Sequence, residues 1–267
     1  MRFDVITLFP ELFEPFLRSG VTRRAYESAQ VEVVLWPLRD FADGNYRRVD
    51  DRPYGGGPGM VMLPEPLRRC WQHIQDERRR LALPKVPTIL FSPQGQQLSH
   101  TQVALRAQSP GAVLVCGRYE GVDQRFIDQC VDEQLSVGDF VLSGGELPAM
   151  MLLDAVARLQ PGVLNDEGSH QQDSFNPALD GLLDCPHYTR PELWQGPQGP
   201  APVPDVLLGG HHAHIERWRR DQSLINSAIH RPELVEQARA EGRLSRHDET
   251  VLQNWALKAS TSSQKKL

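Results

Sequence analysis

The stretch SVGDFVLSGGELPAM, residues 136–150, decides the fold expected for this chain. Its apolar run, residues 140–142, is too short for a helix and lies between glycines, which predicts a buried strand. Gly144 and Gly145 then predict a sharp turn, because glycine accepts positive φ and lets a ligand or another backbone approach closely. Residues 146–158 are apolar nearly all round and carry a proline in the first turn, which predicts a buried helix. A strand, a glycine turn and a buried helix together predict one edge of a ligand-binding pocket.

Two earlier segments repeat this pattern. Residues 88–95, TILFSPQG, are an apolar run that ends in a Pro/Gly turn, and residues 112–123, AVLVCGRYEGVD, are another, with Gly117 and Gly121 in its turn. Continuous Val/Ile/Leu runs are typical of strands covered on both faces, as in a parallel sheet. Ligands of such sheets bind beyond the carboxyl ends of neighbouring strands. The pattern by itself therefore predicts a doubly wound α/β fold with one pocket formed by the three glycine-containing loops.

Length and composition bound the class of protein. A chain of 267 residues with 40% apolar residues can bury a sizeable core and is expected to form two domains. No window approaches eighteen apolar residues, so no membrane span is predicted, and Asp4 stands where a signal peptide would need its apolar core. The cysteines (Cys70, Cys116, Cys130 and Cys185) lack metal-binding spacing and are expected to be free thiols. We therefore expect a cytoplasmic protein from a reducing compartment.

Composition shifts along the chain predict its domain organisation. Residues 1–163 form the first domain, which closes at a Pro-Gly pair, and the polar, aperiodic residues 164–172 are expected to be a flexible linker. Residues 173–257 have mainly helical patterning and predict a small second domain. Residues 258–267 are expected to be a disordered tail.

The cations suit RNA binding, although a GC-rich genome would also favour arginine. The net charge is −5, but 25 arginines stand against four lysines, and arginine suits bidentate phosphate contacts and stacking on bases. A local basic face can bind RNA although the whole molecule is acidic. Residues 50–60 are too rich in glycine and proline for regular structure, yet they carry Arg52 and Tyr54, which favours a binding loop over a linker. His211, His212 and His214 show no converging metal spacing, so no metal site is predicted.

Five blocks of sequence, taken together and in order, resemble the bacterial tRNA (guanine-N1)-methyltransferase family. They are DRPYGGGPGM (51–60), SPQG (92–95), CGRYEG (116–121), GDFVLSGGELPA (138–149) and DCPHYTRP (184–191). The resemblance covers nearly the whole chain to about residue 257. It implies methylation of guanine at tRNA position 37, next to the anticodon, with S-adenosyl-methionine as methyl donor.

The resemblance also implies a fold and an assembly. The fold is of the SPOUT type, an α/β parallel sheet with a C-terminal trefoil knot, followed by a small, mainly helical C-terminal domain. The assembly is a homodimer that binds tRNA and shares its active site between chains. The sequence pattern alone does not predict a knot, because knots are nearly absent among proteins.

The resemblance places the cofactor pocket in the three glycine-containing loops. Backbone N–H and C=O groups in such turns can bind adenine and ribose, while apolar neighbours cover the ring. The residues that it implies are Ser92, Pro93, Gln94, Gly95, Gly117, Tyr119, Glu120, Gly121, Val137, Gly138, Asp139, Phe140, Val141, Leu142, Gly144, Gly145 and Pro148.

Two residues are implied to be catalytic, Asp173 as general base and Arg158 as the supporting cation. Guanine N1 carries a proton that must leave as the methyl group arrives, so a base must lie within hydrogen-bond reach. An ordinary aspartate, with a pKa of about 3.9, is a feeble base for so weak an acid. Partial burial would raise its pKa, and an arginine near guanine O6 would stabilise the developing charge. The residues alone leave open that Asp173 is a helix N-cap.

Arginine, histidine and aromatic side chains are expected to grip the tRNA, because they can pair with phosphate and stack on splayed loop bases. The expected residues are Arg52, Tyr54, His187, Arg190, His211, His212, Arg217, Arg219 and Arg220.

The chain departs from the family pattern at three positions. Gln172 stands where an acidic residue is usual, Phe91 replaces a leucine, and His211 replaces an asparagine; none of them removes the expected base, cation or glycine turns. Two alternatives stay open, a SPOUT methyltransferase with another target such as a ribose 2′-oxygen, and a non-catalytic RNA-binding protein. A nicotinamide oxidoreductase is disfavoured, because no Gly-x-Gly-x-x-Gly follows the first strand. The tRNA species used and any need for magnesium are left open.

Overall fold

The computed structural model describes residues 1–165 and 169–264. The chain divides into two compact units, residues 1–166 and 167–267, and the division lies within the predicted linker 164–172. Residues 166–168 of that linker lie outside the described residues. Each unit has its own buried core.

A parallel sheet organises the first unit. Within the described residues it has five strands in the order β2-β1-β6-β5-β7, with every neighbouring pair parallel. The strands are β1 (Arg2–Thr7), β2 (Glu32–Pro37), β5 (Thr88–Gln97), β6 (Gly111–Val115) and β7 (Glu133–Ser136), and a short antiparallel pair, β3 (Asp50–Asp51) and β4 (Val61–Met62), stands apart. This confirms the predicted α/β class with a parallel sheet.

Helices cover both faces of the sheet, as continuous apolar strands require. One face packs on α1 (Phe13–Arg18), α2 (Arg23–Glu27), α4 (His100–Ala107) and α6 (Glu146–Ala157). The other face packs on α3 (Pro64–Arg80) and α5 (Gln124–Cys130). Alternation along each strand separates the two cores, so that Ile89 enters the first and Leu90 the second.

Asp4 has a structural reason for its place among the apolar residues of β1. It is fully buried and accepts hydrogen bonds from Arg2, from the Trp36 indole (3.0 Å) and from Arg78 Nη1 (2.7 Å). Arg78 belongs to the charged run at 77–80, which composition alone assigns to a solvated face. That interpretation is wrong for Arg78, because its side chain is buried and pairs with the fully buried Asp4.

The strand predicted at residues 140–142 is not formed. Strand β7 ends at Ser136, and Phe140 and Val141 are 54% and 85% exposed in the loop that follows. The edge position beside β5 is filled by residues 133–136, and Gly138, with φ of 148°, turns the chain away from the sheet. The apolar run therefore serves a loop surface rather than the core.

The second unit is mainly helical, with a hairpin formed by β8 and β9 in a stretch rich in proline and glycine. Its elements are β8 (Leu193–Gly196), β9 (Gly199–Pro202), α7 (Asp205–Leu208), α8 (His212–His230), α9 (Pro232–Ala240) and α10 (Arg246–Gln264). Its core contains Leu182, Leu224, Val235, Ala238 and Leu252.

Residues 258–267 were expected to be a disordered tail, but most of this stretch is helical in the structure. Helix α10 continues to Gln264, because neither glycine nor proline interrupts the chain after Arg246, and residues 265–267 lie outside the described residues. All four cysteines are free, as expected; Cys70, Cys116 and Cys185 are buried and Cys130 is half-buried. Among the described helices none combines the length and apolarity needed to cross a bilayer.

Candidate functional site

A cavity of about 430 Å³ lies at the carboxyl ends of β5, β6 and β7. The loops after these strands form its walls, and Pro148 on the first turn of α6 closes one side. This is the edge of a parallel sheet at which ligands bind.

The structure brings most of the expected cofactor residues together around this cavity. In the described part of the chain only Gly95 and Asp139 of that set lie outside its lining. The set that lines it is Ser92, Pro93, Gln94, Gly117, Tyr119, Glu120, Gly121, Val137, Gly138, Phe140, Val141, Leu142, Gly144, Gly145 and Pro148.

The first wall is a bulge in β5. Phe91 and Gln96 both pair with Leu135 of β7, so that residues 92–95 loop out of the ladder toward the cavity. A side chain at Gly95 would lie 2.4 Å from the backbone of Gln134 and Leu135. Gly95 therefore permits close packing of the bulge on β7 rather than contact with a ligand.

The second wall, residues 117–121, is bonded to the end of the glycine-rich loop 50–60. Glu120 N donates to Met60 O and Met62 N donates to Gly121 O, both at 2.9 Å. Tyr119 adopts a left-handed conformation with φ of 62°. Its pKa is raised by partial burial and by nearby Asp50. The glycine-rich loop is thus continuous with the cavity wall.

The third wall, residues 137–145 after β7, fits against the second through its glycines. Gly145 N donates to Gly117 O at 2.9 Å, and Gly144 forms a β-bridge with Arg118. Gly145 has φ of −80°, so the positive φ expected there is wrong. Glycine is needed because a Cβ would lie 2.7 Å from the Cys116 Cα. Burial raises the pKa of the Cys116 thiol well above its ordinary value, so the thiol beneath this turn stays protonated.

A buried ion pair joins the end of β1, the loop after β6 and the start of α6. The sequence predictions missed this pair. Glu146, 1% exposed, accepts from Arg118 Nε at 2.8 Å and from Thr7 Oγ1 at 2.9 Å. Arg118 Nη1 also donates to Ser143 O at 3.2 Å, and its guanidinium lies 4.4 Å from the centroid of the Phe9 ring. A signal for this pair was present in the sequence. Arg118 follows a glycine in CGRYEG, and Glu146, of opposite charge, follows a glycine in SGGE.

Gln134 is a second residue that the motifs missed. It lines the cavity from β7, and its Oε1 is buried without a hydrogen-bond partner among the described residues. Leu90, Val122 and Ile127 line the same cavity with apolar side chains. The site therefore offers flat apolar cover and the backbone groups of three turns, which suits a nucleoside-like ligand.

The two expected catalytic residues do not lie in the lining of this cavity. Arg158 is the C-cap of α6, at the end opposite Gly145, and a helix of 12 residues separates them by about 18 Å. Asp173 belongs to the second unit and directly follows a 3₁₀ turn, Ser169–Gln172. The alternative role of Asp173 as an N-cap is wrong, because Asn176 caps the next turn through a bond from Ala178 N.

Most of the expected tRNA-binding side chains are exposed. Tyr54 is 99% exposed on the glycine-rich loop, where Arg52 also lies on the surface. In the second unit the exposed members are His187, Arg190, His211, His212, Arg217 and Arg219. His187 pairs with Asp184 at 2.9 Å.

Arg220 does not belong with them. Its guanidinium bonds Asp248 at 2.9 Å and Asp180 at 2.8 Å and is mostly covered. Arg220 joins α8 to the start of α10 and to Asp180, which follows the 3₁₀ turn Pro177–Leu179, so its contacts lie within the second unit. Among the described residues no cluster of three or more His, Cys, Asp or Glu side chains could hold a metal ion.

Helix α6 presents apolar side chains to solvent next to the cavity. Leu147 and Met151, one turn apart, are 54% and 49% exposed, and Val141 projects from the adjoining loop. The opposite side of the same helix is fully buried in the core. Large apolar side chains that cluster at the surface mark interaction sites.

Comparisons with known proteins agree on one family. The family described as tRNA (Guanine-1)-methyltransferase TrmD matches residues 1–237. A protein of Paracidovorax citrulli is 69% identical over 94% of this chain and 97% of its own length, and one of Polaromonas sp. is 68% identical over 94% and 96%. A protein of Burkholderia mallei is 55% identical over 98% of this chain and 97% of its own. All three bear the name tRNA (guanine-N(1)-)-methyltransferase.

Proposed function

Because this chain belongs to the tRNA (guanine-1)-methyltransferase family, we propose that it transfers a methyl group from S-adenosyl-methionine to N1 of guanine 37 of tRNA, next to the anticodon. The observation that carries the proposal is the cavity, since the loops that the family resemblance assigned to the cofactor converge there. Its volume, about 430 Å³, is in the range of small-molecule sites.

The cavity residues fit the cofactor. The turn at Gly145 packs directly on the backbone of Cys116 and Gly117, so residues 117–121 and 144–145 bring their backbone groups to the cavity together. When bound, S-adenosyl-methionine supplies a methyl group made electrophilic by its sulfonium. The chain's own residues bind the nucleoside, orient it and exclude water.

Asp173 is the proposed base. Its carboxylate would take the N1 proton of guanine as the N1–methyl bond forms and the bond between the methyl group and the sulfonium sulfur breaks, with S-adenosyl-homocysteine as the leaving group. Arg158 would stabilise the negative charge that develops toward O6. The cation matters because the guanine imide is a much weaker acid than an ordinary carboxylic acid. No metal is assigned a part in this proton transfer.

Two copies of the chain form the proposed active unit. Arg158 lies about 18 Å along α6 from the turn that shapes its own chain's cavity, which fits a role at another chain's cavity. The exposed Leu147 and Met151 of α6 provide an apolar surface for that contact. A two-fold dimer built on α6 pairs each cavity with residues of its partner. The close fit of residues 144–145 against 116–117 accords with the trefoil knot that the family implies.

The second unit is proposed to hold the tRNA. Its exposed cations, among them Arg190, Arg217 and Arg219, can pair with phosphates, and Tyr54 of the first unit is free to stack on a loop base. Cytoplasmic action on tRNA fits the free cysteines.

The test is transfer of a labelled methyl group to unmodified tRNA, followed by mapping of the modified atom. We expect label at N1 of guanine 37, and none when that nucleotide is replaced by adenine. Label on a ribose 2′-oxygen would favour the alternative SPOUT reaction. Tight tRNA binding with no transfer of label would favour a non-catalytic RNA-binding protein.

A further inference from the structure

Asp173, the proposed base, begins a loop of the second unit that closes on itself. Residues 173–184, the Asp173 loop, turn back through a 3₁₀ turn, so that the last three residues lie beside the first three. Across the loop, Phe175 N donates to Leu182 O at 2.9 Å. The backbone that carries Asp173 is therefore joined to a segment that follows it in the chain.

The second bond across the loop uses a side chain. Asp184 N donates to the hydroxyl oxygen of Ser174 at 2.9 Å, and both residues are half-buried. The Asp184 carboxylate is engaged elsewhere, since its two oxygens accept from Cys185 N at 2.6 Å and pair with His187 Nε2 at 2.9 Å. Ser174, the residue directly after Asp173, thus ties the start of the loop to its end through one hydroxyl.

Helix α8 holds the end of the Asp173 loop in place. Leu183 N donates to Ser227 Oγ at 2.9 Å, and Leu183 O accepts from Ser223 Oγ. Asn226 Nδ2 donates to Asp184 O at 2.9 Å. Ser223 and Ser227 are 2% and 0% exposed, and buried hydroxyls of this kind keep their hydrogen-bond partners because water cannot replace them. The end of the loop is therefore fastened to the core of the second unit.

We propose that Ser174 is a positioning residue for the methyl transfer. Its hydroxyl fixes the backbone from which the Asp173 carboxylate reaches guanine N1. The inference rests on the proposed function and on Asp173 as its base. A base must lie within hydrogen-bond reach of the proton that it takes, and a misplacement of about 1 Å can cost about 100-fold in rate. An aspartate side chain is short and occupies few rotamers, so a fixed backbone limits where its oxygens can lie.

Single-turnover methyl transfer at saturating cofactor and tRNA tests the role of the hydroxyl. Ser174→Ala should lower the rate about ten- to hundredfold, whereas its affinities for tRNA and for S-adenosyl-homocysteine should stay within about twofold of wild type. Ser174→Thr keeps a hydroxyl and should retain the rate within about threefold.

Ser109 offers a matched control in the first unit. It is also half-buried, and its hydroxyl accepts from a backbone N–H, that of Gly111 at 3.2 Å, at the amino end of β6. Ser109→Ala should therefore leave the rate of methyl transfer unchanged. Thermal melting should show that all of these variants are folded.

Combination with Asp173→Asn distinguishes positioning from a purely structural role. If Ser174 acts through the carboxylate, Ser174→Ala should lower the residual rate of Asp173→Asn by no more than about twofold. An equal loss of rate in both backgrounds would show that the hydroxyl acts on something other than the base, and the inference would be wrong.

Failure of the inference and failure of the proposed function give different results. Loss of rate in Asp173→Asn with none in Ser174→Ala contradicts the inference alone. If Asp173→Asn transfers the methyl group within a few-fold of wild type, Asp173 is not the base and the inference falls with it. If the folded wild type transfers no label to tRNA, the proposed function itself is contradicted.

Discussion

Gly145 shows how one residue shapes the cavity. Glycine is required there for close packing and not for its backbone conformation, because φ is −80° and a Cβ would meet the Cys116 Cα at 2.7 Å. A Cβ at Gly117, in the opposing wall, would make only ordinary contacts of 3.5 Å. Gly145 and Gly117 are hydrogen-bonded to each other, but only Gly117 has room for a Cβ.

Gly145→Ala should separate the two walls, lower affinity for S-adenosyl-homocysteine more than about tenfold and lower the melting temperature. Gly117→Ala is the control, and its melting temperature should stay within about 2 °C of wild type. Titration calorimetry and thermal melting measure these effects. Equal affinity in Gly145→Ala and wild type would place the cofactor outside this cavity.

Asp173 can be tested at the same scale. Asp173→Asn keeps the shape of the side chain but cannot take the N1 proton, so the single-turnover rate should fall about 10²–10⁴-fold. Affinity for cofactor and for tRNA should change little, the signature of an interaction made only in the transition state. Methyl transfer by the variant within a few-fold of wild type would assign the proton to another base.

The start of α6 is the element on which the cavity depends. Glu146, at the first position of the helix, is joined to Thr7 at the end of β1 and to Arg118 in the second wall. One carboxylate therefore holds a strand end, a loop and a helix in register. The exposed pair of Glu14 and Arg18 on α1 has no such role.

Glu146→Gln should destabilise the fold by about 3–5 kcal/mol, because it leaves Arg118 without its partner in a largely buried setting. Arg118→Met combined with Glu146→Gln should cost less than the sum of the single changes, since neither charge is then left alone. Glu14→Gln, on the surface, should cost at most about 0.5 kcal/mol. Denaturant unfolding gives these values, and additive costs for the two buried changes would show that the pair is not coupled.

Helix α8 offers a comparison within one turn. Arg217 and Arg219 are exposed, whereas Arg220 bonds Asp180 and Asp248. Arg217→Ala and Arg219→Ala should each weaken tRNA binding and reduce its salt dependence while the melting temperature is unchanged. Arg220→Ala should instead lower the melting temperature, because it leaves Asp248 buried and unpaired. Unchanged melting of Arg220→Ala would restore it to the tRNA-binding set.

At the scale of the whole molecule, the proposed dimer explains why the cavity and Arg158 lie at opposite ends of α6. If each active site combines one chain's cavity with the other chain's Asp173, two differently damaged chains should complement each other. Such complementation does not arise when each chain works alone.

Mixing Asp173→Ala chains with Gly145→Val chains should restore one working site in each heterodimer. After random exchange of equal amounts, half of the dimers are heterodimers, so activity should reach about one quarter of wild type. Either variant alone should stay inactive, and native mass spectrometry should verify the exchange. Absence of recovered activity in verified heterodimers would contradict a shared site.

The sequence by itself determined the parallel α/β sheet, the loops that meet at its carboxyl edge and the family. Continuous apolar runs and glycine-rich turns are local signals, and most of the residues expected from them line one cavity. Local signals were insufficient where two segments compete for one position. Residues 140–142 have the composition of a strand, but residues 133–136 occupy the place beside β5.

Tertiary structure alone decided which groups meet across the chain. The bond between Arg118 and Glu146 joins residues 28 positions apart, and that between Arg78 and Asp4 joins residues 74 apart. Composition assigned Arg78 to the surface, and no spacing marked Gln134 as an unpaired acceptor. Pairing and desolvation depend on which elements pack together, and that packing is a property of the folded chain rather than of any segment.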